Sequence, residues 1–321
     1  MVEIRKKFEP LDLNRVKTYP LSERKSIVSR ADFAKTWQKG SSFKDFLDSL
    51  PNILAGIQIR ETISALARSV REKKTIILGL GAHVIKVGLN PIVIDLMKRG
   101  AISGVAMNGA GIIHDLEVAM TGQTSEDVAA SIDDGSFGMA QETCAFLSDA
   151  IAKFDMNSAG LGQTVGRAII EEALPHMEQS ILATGYRLGI PVTVHVAIGT
   201  DIIHMHSRFN AAKTGALSHR DFRLFASMVA TLEGGVYLNV GSAVILPEIF
   251  LKAVTLARNL GYTLNKITTV NLDFIRHYRP ITNVIHRPTA KGGTGITLLG
   301  HHEIMLPLLA AGVIEALESV T

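Results

Sequence analysis

The chain has 321 residues, of which 47% are hydrophobic and 6% aromatic, with 28 glycines and one cysteine. That length can bury a large core, and the lone Cys144 excludes an internal disulfide framework and fits a reducing compartment. A formal net charge of +3 without a dense basic cluster argues against a nucleic-acid partner, and no apolar run is long enough to cross a bilayer.

In chain order, residues 1–50 read as a polar N-terminal arm ending in a short helix around Phe43 and Phe46. The opening "MVEIRKKFEP" lacks an apolar segment, so no signal peptide is expected and the expected location is the cytoplasm. One large domain is expected over 51–321. It starts with "ILAGIQIRETISALARSVREKK", whose apolar residues recur at helical spacing and whose end is basic, as suits a helix C-terminus. "TIILGLG" is a short apolar run stopped by glycine, which predicts a buried strand. "NPIVIDLMKRG" predicts a helix stopped at Gly100, "ISGVAMNG" a second strand and "IIHDLEVAMTG" a second helix. The alternation then repeats: "SILATGYRLG" helix, "IPVTVHVAIG" strand, "DFRLFASMVATLEG" helix, "GVYLNVGSAV" strand, "PEIFLKAVTLARNLG" helix, "KITTVNLDF" strand. Continuous apolar strands alternating with helices predict an α/β fold: a Rossmann-like, doubly wound, mostly parallel sheet with helices on both faces.

In such a sheet ligands bind at the C-terminal ends of the strands. Glycines fall at several of those ends: Gly79 and Gly81, Gly109 and Gly111, Gly199, and Gly241. The turn "MNGAG" is the main candidate, because Asn108, Gly109, Ala110 and Gly111 leave little side-chain bulk where a helix N-terminus follows. No Walker A or complete GxGxxG pattern occurs. "GTDIIHMH" places Asp201 past a strand end, followed by His204 and His206. In an extended segment residues two apart share a side, so this pair is a candidate metal site for an ion such as zinc, with a solvated pair as the competing reading. "LLGHHEIMLP" brings His301, His302 and Glu303 to another strand end, and Cys144 reads as a core residue.

The segments "IILGLGAHVIKVGLNPIVIDLMKRGAISGVAMNGAGIIHD", "GIPVTVHVAIGTDIIHMH" and "GGVYLNVGSAVILPEIF" together resemble deoxyhypusine synthase, a likeness running from "DLNR" to "MLPLLAAGVIEAL". The resemblance implies an NAD-binding domain in a homotetramer with pockets between subunits. It also implies chemistry in which spermidine is oxidised, an imine forms with a lysine, and an aminobutyl group passes to a protein lysine or a polyamine. Thr200 and Asp201 match the family's Thr-Asp, whose aspartate contacts the cofactor. Gly111, Asp115 and Gly241 match at glycine-rich positions. Elsewhere the chain departs from the pattern. The family's lysine falls on Pro288, with Lys291 nearby. Its glutamate pair becomes Ile113 and His114, and a substrate-binding aspartate becomes His206. Its tryptophan falls on His286, a cofactor-side aspartate on His301, and the asparagine of its Ser-Asn-Leu turn on His83.

The resemblance therefore implies cofactor contacts at Gly81, His83, Asn108, Gly109, Ala110, Gly111, Asp201, Gly241 and His301. Catalytic candidates are His114, His206, His286 and Lys291. Lost carboxylates point away from a polycation such as spermidine. The expectation is an NAD-dependent transferase or amine-oxidising enzyme with an altered small-molecule substrate. The alternatives are a metal-dependent, histidine-lined enzyme and a non-catalytic ligand-binding protein.

Overall fold

The computed structural model describes residues 8–153 and 159–318. Six strands form one sheet: β1 (Ile76–Leu80), β2 (Gly104–Asn108), β3 (Val192–His195), β4 (Val236–Val240), β5 (Thr268–Asp273) and β6 (Thr294–Leu299). Their order is β3-β2-β1-β4-β5-β6 and every pairing is parallel. The expected mostly parallel sheet is thus wholly parallel among the described residues. The chain leaves β1 in one direction to reach β2 and β3, and returns to its other side for β4. The topological switch point therefore lies between β1 and β4.

The helices are α1 (Phe43–Ser49), α2 (Ala55–Arg71), α3 (Ala82–Lys86), α4 (Asn90–Lys98), α5 (Gly109–Thr121), α6 (Val128–Ser131), α7 (Gln141–Lys153), α8 (Leu161–Glu171), α9 (Ile181–Leu188), α10 (Ala211–Ala230) and α11 (Ile245–Asn259). The crossover from β5 to β6 runs through α12 (Tyr278–Pro280), a π-type turn (Ile281–His286) and α13 (Arg287–Thr289), and α14 (His302–Glu318) follows β6. Alternation along the strands explains the two layers. Ile76, Leu78 and Leu80 of β1 join one apolar cluster with residues of α2, α4 and α14. Ile77 joins a second with Phe225 of α10 and Phe250 of α11. Along β1, β3, β4 and β5 neither face is left to water, so the sequence shows continuous apolar runs instead of alternation, while the edge strand β6 is partly exposed.

Two buried carboxylates fix the helices around β2 and β3. Asp115 of α5 accepts from Ser180 Oγ (2.6 Å), the N–H groups of Ile181 (2.8 Å) and Leu182 (3.1 Å), and Asn90 Nδ2 (3.1 Å). It thereby ties α5 to α4 and to the free N–H groups that open α9. Asp221 of α10 accepts from the N–H groups of Gly162 (2.9 Å) and Val194 (2.8 Å), joining α8 and β3. Asp115, matched to the family's glycine turn in sequence, is wholly buried in this structural role.

The arm 8–41 carries three short 3-10 turns and is largely exposed. α1 caps itself through Ser42 and Asp45 and seats Leu47 in the core. Cys144 is buried in α7, as expected. No helix among the described residues is long and apolar enough to cross a membrane.

Candidate functional site

The C-terminal strand ends converge along one edge of the sheet and form two groups, one on each side of the switch point. At the switch point itself, β1 and β4 come so close that a Cβ on Gly81 would lie 2.1 Å from the Gly241 carbonyl oxygen. Gly241 is also left-handed (φ +68°), so both positions demand glycine.

On the β2–β3 side, the candidate turn is the first turn of α5, with Asn108 as its cap and Oδ1 accepting from the Gly111 N–H (3.1 Å). A Cβ on Gly109 would stand 1.9 Å from Asp201 Oδ2, so the space over the helix N-terminus is filled by the chain's own carboxylate. Asp201 complements the positive end of α5. Burial pushes its carboxyl above the ordinary range, against the pull of His204. Both side chains are about 5% exposed.

His204 Nδ1 accepts from the N–H groups of Gly199 (3.0 Å) and Asp201 (3.1 Å). In a neutral ring the proton is then on Nε2, which lies 3.9 Å from Asp201 Oδ2. Neither atom has a hydrogen-bond partner. A buried donor beside a buried acceptor is the arrangement that one hydroxyl group satisfies twice.

His114 stands one turn along α5. Its Nδ1 lies 2.6 Å from Thr124 Oγ1, which donates to Glu117 Oε2 (2.5 Å). Since the threonine hydroxyl is spent on Glu117, Nδ1 is the donating nitrogen and Nε2 is left as the basic one. Burial alone would raise Glu117, but His114, Thr124 and Thr143 together hold it below its ordinary value.

The second group belongs to β1, β5 and β6. His302 is wholly buried, and neither ring nitrogen makes a hydrogen bond of ordinary geometry, the Leu272 backbone carbonyl being a neighbour that favours its charged form. Its Nε2 is 3.8 Å from Asp273 Oδ1, and Asp273 Oδ2 is 3.9 Å from His277 Nε2. His83 and Phe274 meet the His302 ring edge-on, at centroid distances of 5.4 and 5.7 Å, and Phe274 stacks on His301 at 6.2 Å.

The edge thus unites His83, Asn108 to Gly111, His114, Asp201, His204, Gly241 and His301. Others behave differently. His204 and His206 are not in an extended segment: a 3-10 turn (Ile202–Met205) separates their directions. His204 turns into the Asp201 loop, whereas His206 Nε2 reaches the Gly138 carbonyl (2.9 Å). The two-residue chelate expected from spacing therefore does not form, and no group of three or more His, Cys, Asp or Glu among the described residues is arranged to hold a metal. Lys291 lies in the exposed loop before β6, at the opposite edge of a parallel sheet, and exposed His286 ends the π-type turn in the crossover leading there. The chain does not bring them to the other candidates.

Sequence reasoning missed Asp273, Glu117 and Thr124, and it placed His302 at a strand end without assigning it a role. An acid closing an apolar strand ("TTVNLD") and a histidine–glutamate pair three apart in a helix were legible signals. The contact with Thr124, from the loop after α5, was not.

No family model and no curated protein matches the chain. Solved structures do. A protein from Entamoeba histolytica, provisionally named a deoxyhypusine synthase, aligns at 14% identity over 88% of this chain and 96% of its own, with a TM-score of 0.54. The arginine dihydrolase ArgZ from the ornithine–ammonia cycle in cyanobacteria aligns at 12% identity over 81% of this chain, with a TM-score of 0.54. AgrE, solved as a ternary complex with ornithine and NAD+, aligns at 13% identity over 83% of this chain, with a TM-score of 0.52. The chain spans 33% of the length of ArgZ and of AgrE. The protein has the Rossmann-type α/β fold that deoxyhypusine synthase-like proteins share with these enzymes.

Proposed function

We propose that this protein is an NAD-dependent enzyme acting on a small substrate of low charge, an amine or an alcohol. One observation carries the reading: the 3-2-1-4-5-6 strand order sets a buried, unpartnered acceptor (Asp201 Oδ2) beside an unpartnered donor (His204 Nε2) near the switch point. A ribose hydroxyl donates to one and accepts from the other, and an acidic residue performs this task in many dinucleotide sites. The carboxylate over Gly109 disfavours a phosphate at the α5 N-terminus, so Asp201 and His204 would hold the sugar. Bound NAD supplies two-electron oxidation of the substrate. AgrE, with the same fold, binds NAD+.

His114 suits a general base, since Glu117 and Thr124 fix its tautomer and leave Nε2 to accept a proton. Imine chemistry through Lys291 is disfavoured by its place at the opposite edge. A homo-oligomer is part of the reading. The accessible surface is 17802 Å², against roughly 13,000 Å² for a compact monomer of this mass. The excess includes the exposed arm, with Phe8 at 87%, Leu11 at 90% and Ile27 at 92% exposure.

Calorimetric titration of the full chain with NAD+ up to millimolar concentration tests the cofactor. Binding is expected, weakened at least tenfold in D201N. Absence of heat together with absence of NADH fluorescence enhancement refutes the reading. Binding without turnover across alcohols and amines would favour a ligand-binding role.

A further inference from the structure

His302 and Asp273 stand outside the machinery assigned above. Three strand ends hold the His302 ring. β4 contributes Gly241, where a Cβ would meet the ring carbon Cε1 at 2.8 Å. β5 contributes Asp273, and β6 turns through Gly300, whose N–H bonds the Asp273 carbonyl (3.0 Å), directly into His302. Asp273 is itself fixed, with Oδ1 accepting from the Phe274 N–H (2.9 Å). A ring held this firmly, with neither nitrogen in a hydrogen bond of ordinary geometry although the Leu272 backbone carbonyl is near enough to favour its charged form, is poorly explained as packing, because buried polar atoms without well-formed partners are costly.

We propose that His302 is a second proton-transfer residue of the sheet edge, positioned by Asp273, and that it serves an O–H or N–H group of the bound ligand. The carboxylate lies nearest Nε2 and favours the proton there, so Nδ1 is the accepting nitrogen. In the step the ligand's O–H or N–H bond breaks, the proton forms a bond to Nδ1, and the electron pair stays on the ligand atom. Asp273 then neutralises the imidazolium. Nothing is oxidised in this step.

His114 follows β2 and His302 follows β6, on opposite sides of the switch point, and the proposal gives them separate proton-transfer roles along one extended ligand or two adjacent ones. Phe274, 48% exposed, packs edge-on against the ring, and on this proposal it is the side chain that moves to admit a ligand. The groups facing His302 are Asp273, the Leu272 backbone carbonyl and Glu303, which favour its charged form, and His83, which opposes it. Burial outweighs them and lowers its proton affinity, so the resting ring is neutral near pH 7.

The proposal rests on the sheet edge being the ligand face, but it does not require the ligand to be NAD. Two measurements on the full chain test it. In histidine-selective NMR, with the His302 resonance assigned by its loss in H302Q, D273N is expected to lower the His302 titration midpoint by one unit or more. Diethylpyrocarbonate labelling with peptide mapping reads access. His302 is expected to react slowly in the wild type, at least tenfold faster in F274A, and to be protected by a ligand bound at the edge, with millimolar NAD+ as the probe. An unmoved midpoint in D273N overturns the dyad. A His302 that stays unlabelled in folded F274A while His301 reacts fully overturns access and shows a core histidine. Labelling without NAD+ protection, alongside silent calorimetry, removes the cofactor reading and leaves the dyad standing.

Discussion

Asp221 offers a test in which one atom changes. Its Oδ2 carries both bonds to the backbone of α8 and β3, while Oδ1 is buried without a partner, where a Cβ on Gly160 would approach to 1.7 Å. Burial pushes the carboxyl from its ordinary 3.8 up to about 7, against the pull of the backbone donors. Folding therefore favours the protonated form. The stability it contributes is fully present below pH 3.8 and is lost as pH rises through about 7. A rise of about three pH units in the folded state corresponds to about 4 kcal/mol. D221N keeps an oxygen for Gly162 and Val194 but cannot ionise. The stability of wild type relative to D221N is expected to fall by about 4 kcal/mol between pH 4 and pH 8, most steeply between pH 5 and pH 7. Urea unfolding of both proteins across that range measures it. A difference that stays flat with pH, or grows, refutes the reasoning and means the backbone donors keep Asp221 ionised throughout.

Other substitutions probe the same logic. D115A strands the first N–H groups of α9 and removes one of the two acceptors of the buried Asn90 amide, and is expected to cost about 3–6 kcal/mol in denaturant unfolding. Y237F removes a buried hydroxyl with no partner and keeps the stacked contact with Phe250 at 3.8 Å, so a gain of about 1 kcal/mol is expected by the same measurement. G109A drives a methyl into Asp201, and a loss of about 1–3 kcal/mol is expected in thermal unfolding, with weaker NAD+ binding by calorimetry. Light scattering is expected to give a multiple of the 34.6 kDa chain mass, reduced when Leu11 and Ile27 in the arm are both made Asp. A monomeric wild type would count against self-association.

The sequence by itself determined the layered α/β architecture. Strands such as "IILGL" and "GVAMN" are buried on both faces, and that condition writes itself into composition as unbroken apolar runs between amphipathic helices. It also marked the C-terminal edge of the sheet, because glycine must stand where Gly81 meets the Gly241 carbonyl and where Gly109 meets Asp201. What it did not reveal was why those glycines were needed. The space that looked open to a ligand in "MNGAG" is occupied by a carboxylate 92 positions away in the chain.

Tertiary structure alone decided which polar residues meet. Spacing presented His204 and His206 as a pair, but a 3-10 turn sent one toward Asp201 and the other toward Gly138. Proximity in sequence likewise offered Lys291 as a stand-in for the missing lysine, yet a parallel sheet separates the loop before β6 from the loop after it by the full length of the strand. Conversely, Asp273 and His302 are 29 residues apart and became neighbours only because β5 and β6 are adjacent and in register. Local pattern sets each element's periodicity and ends. The chemistry of this edge depends on strand order, a property of how the elements pack together.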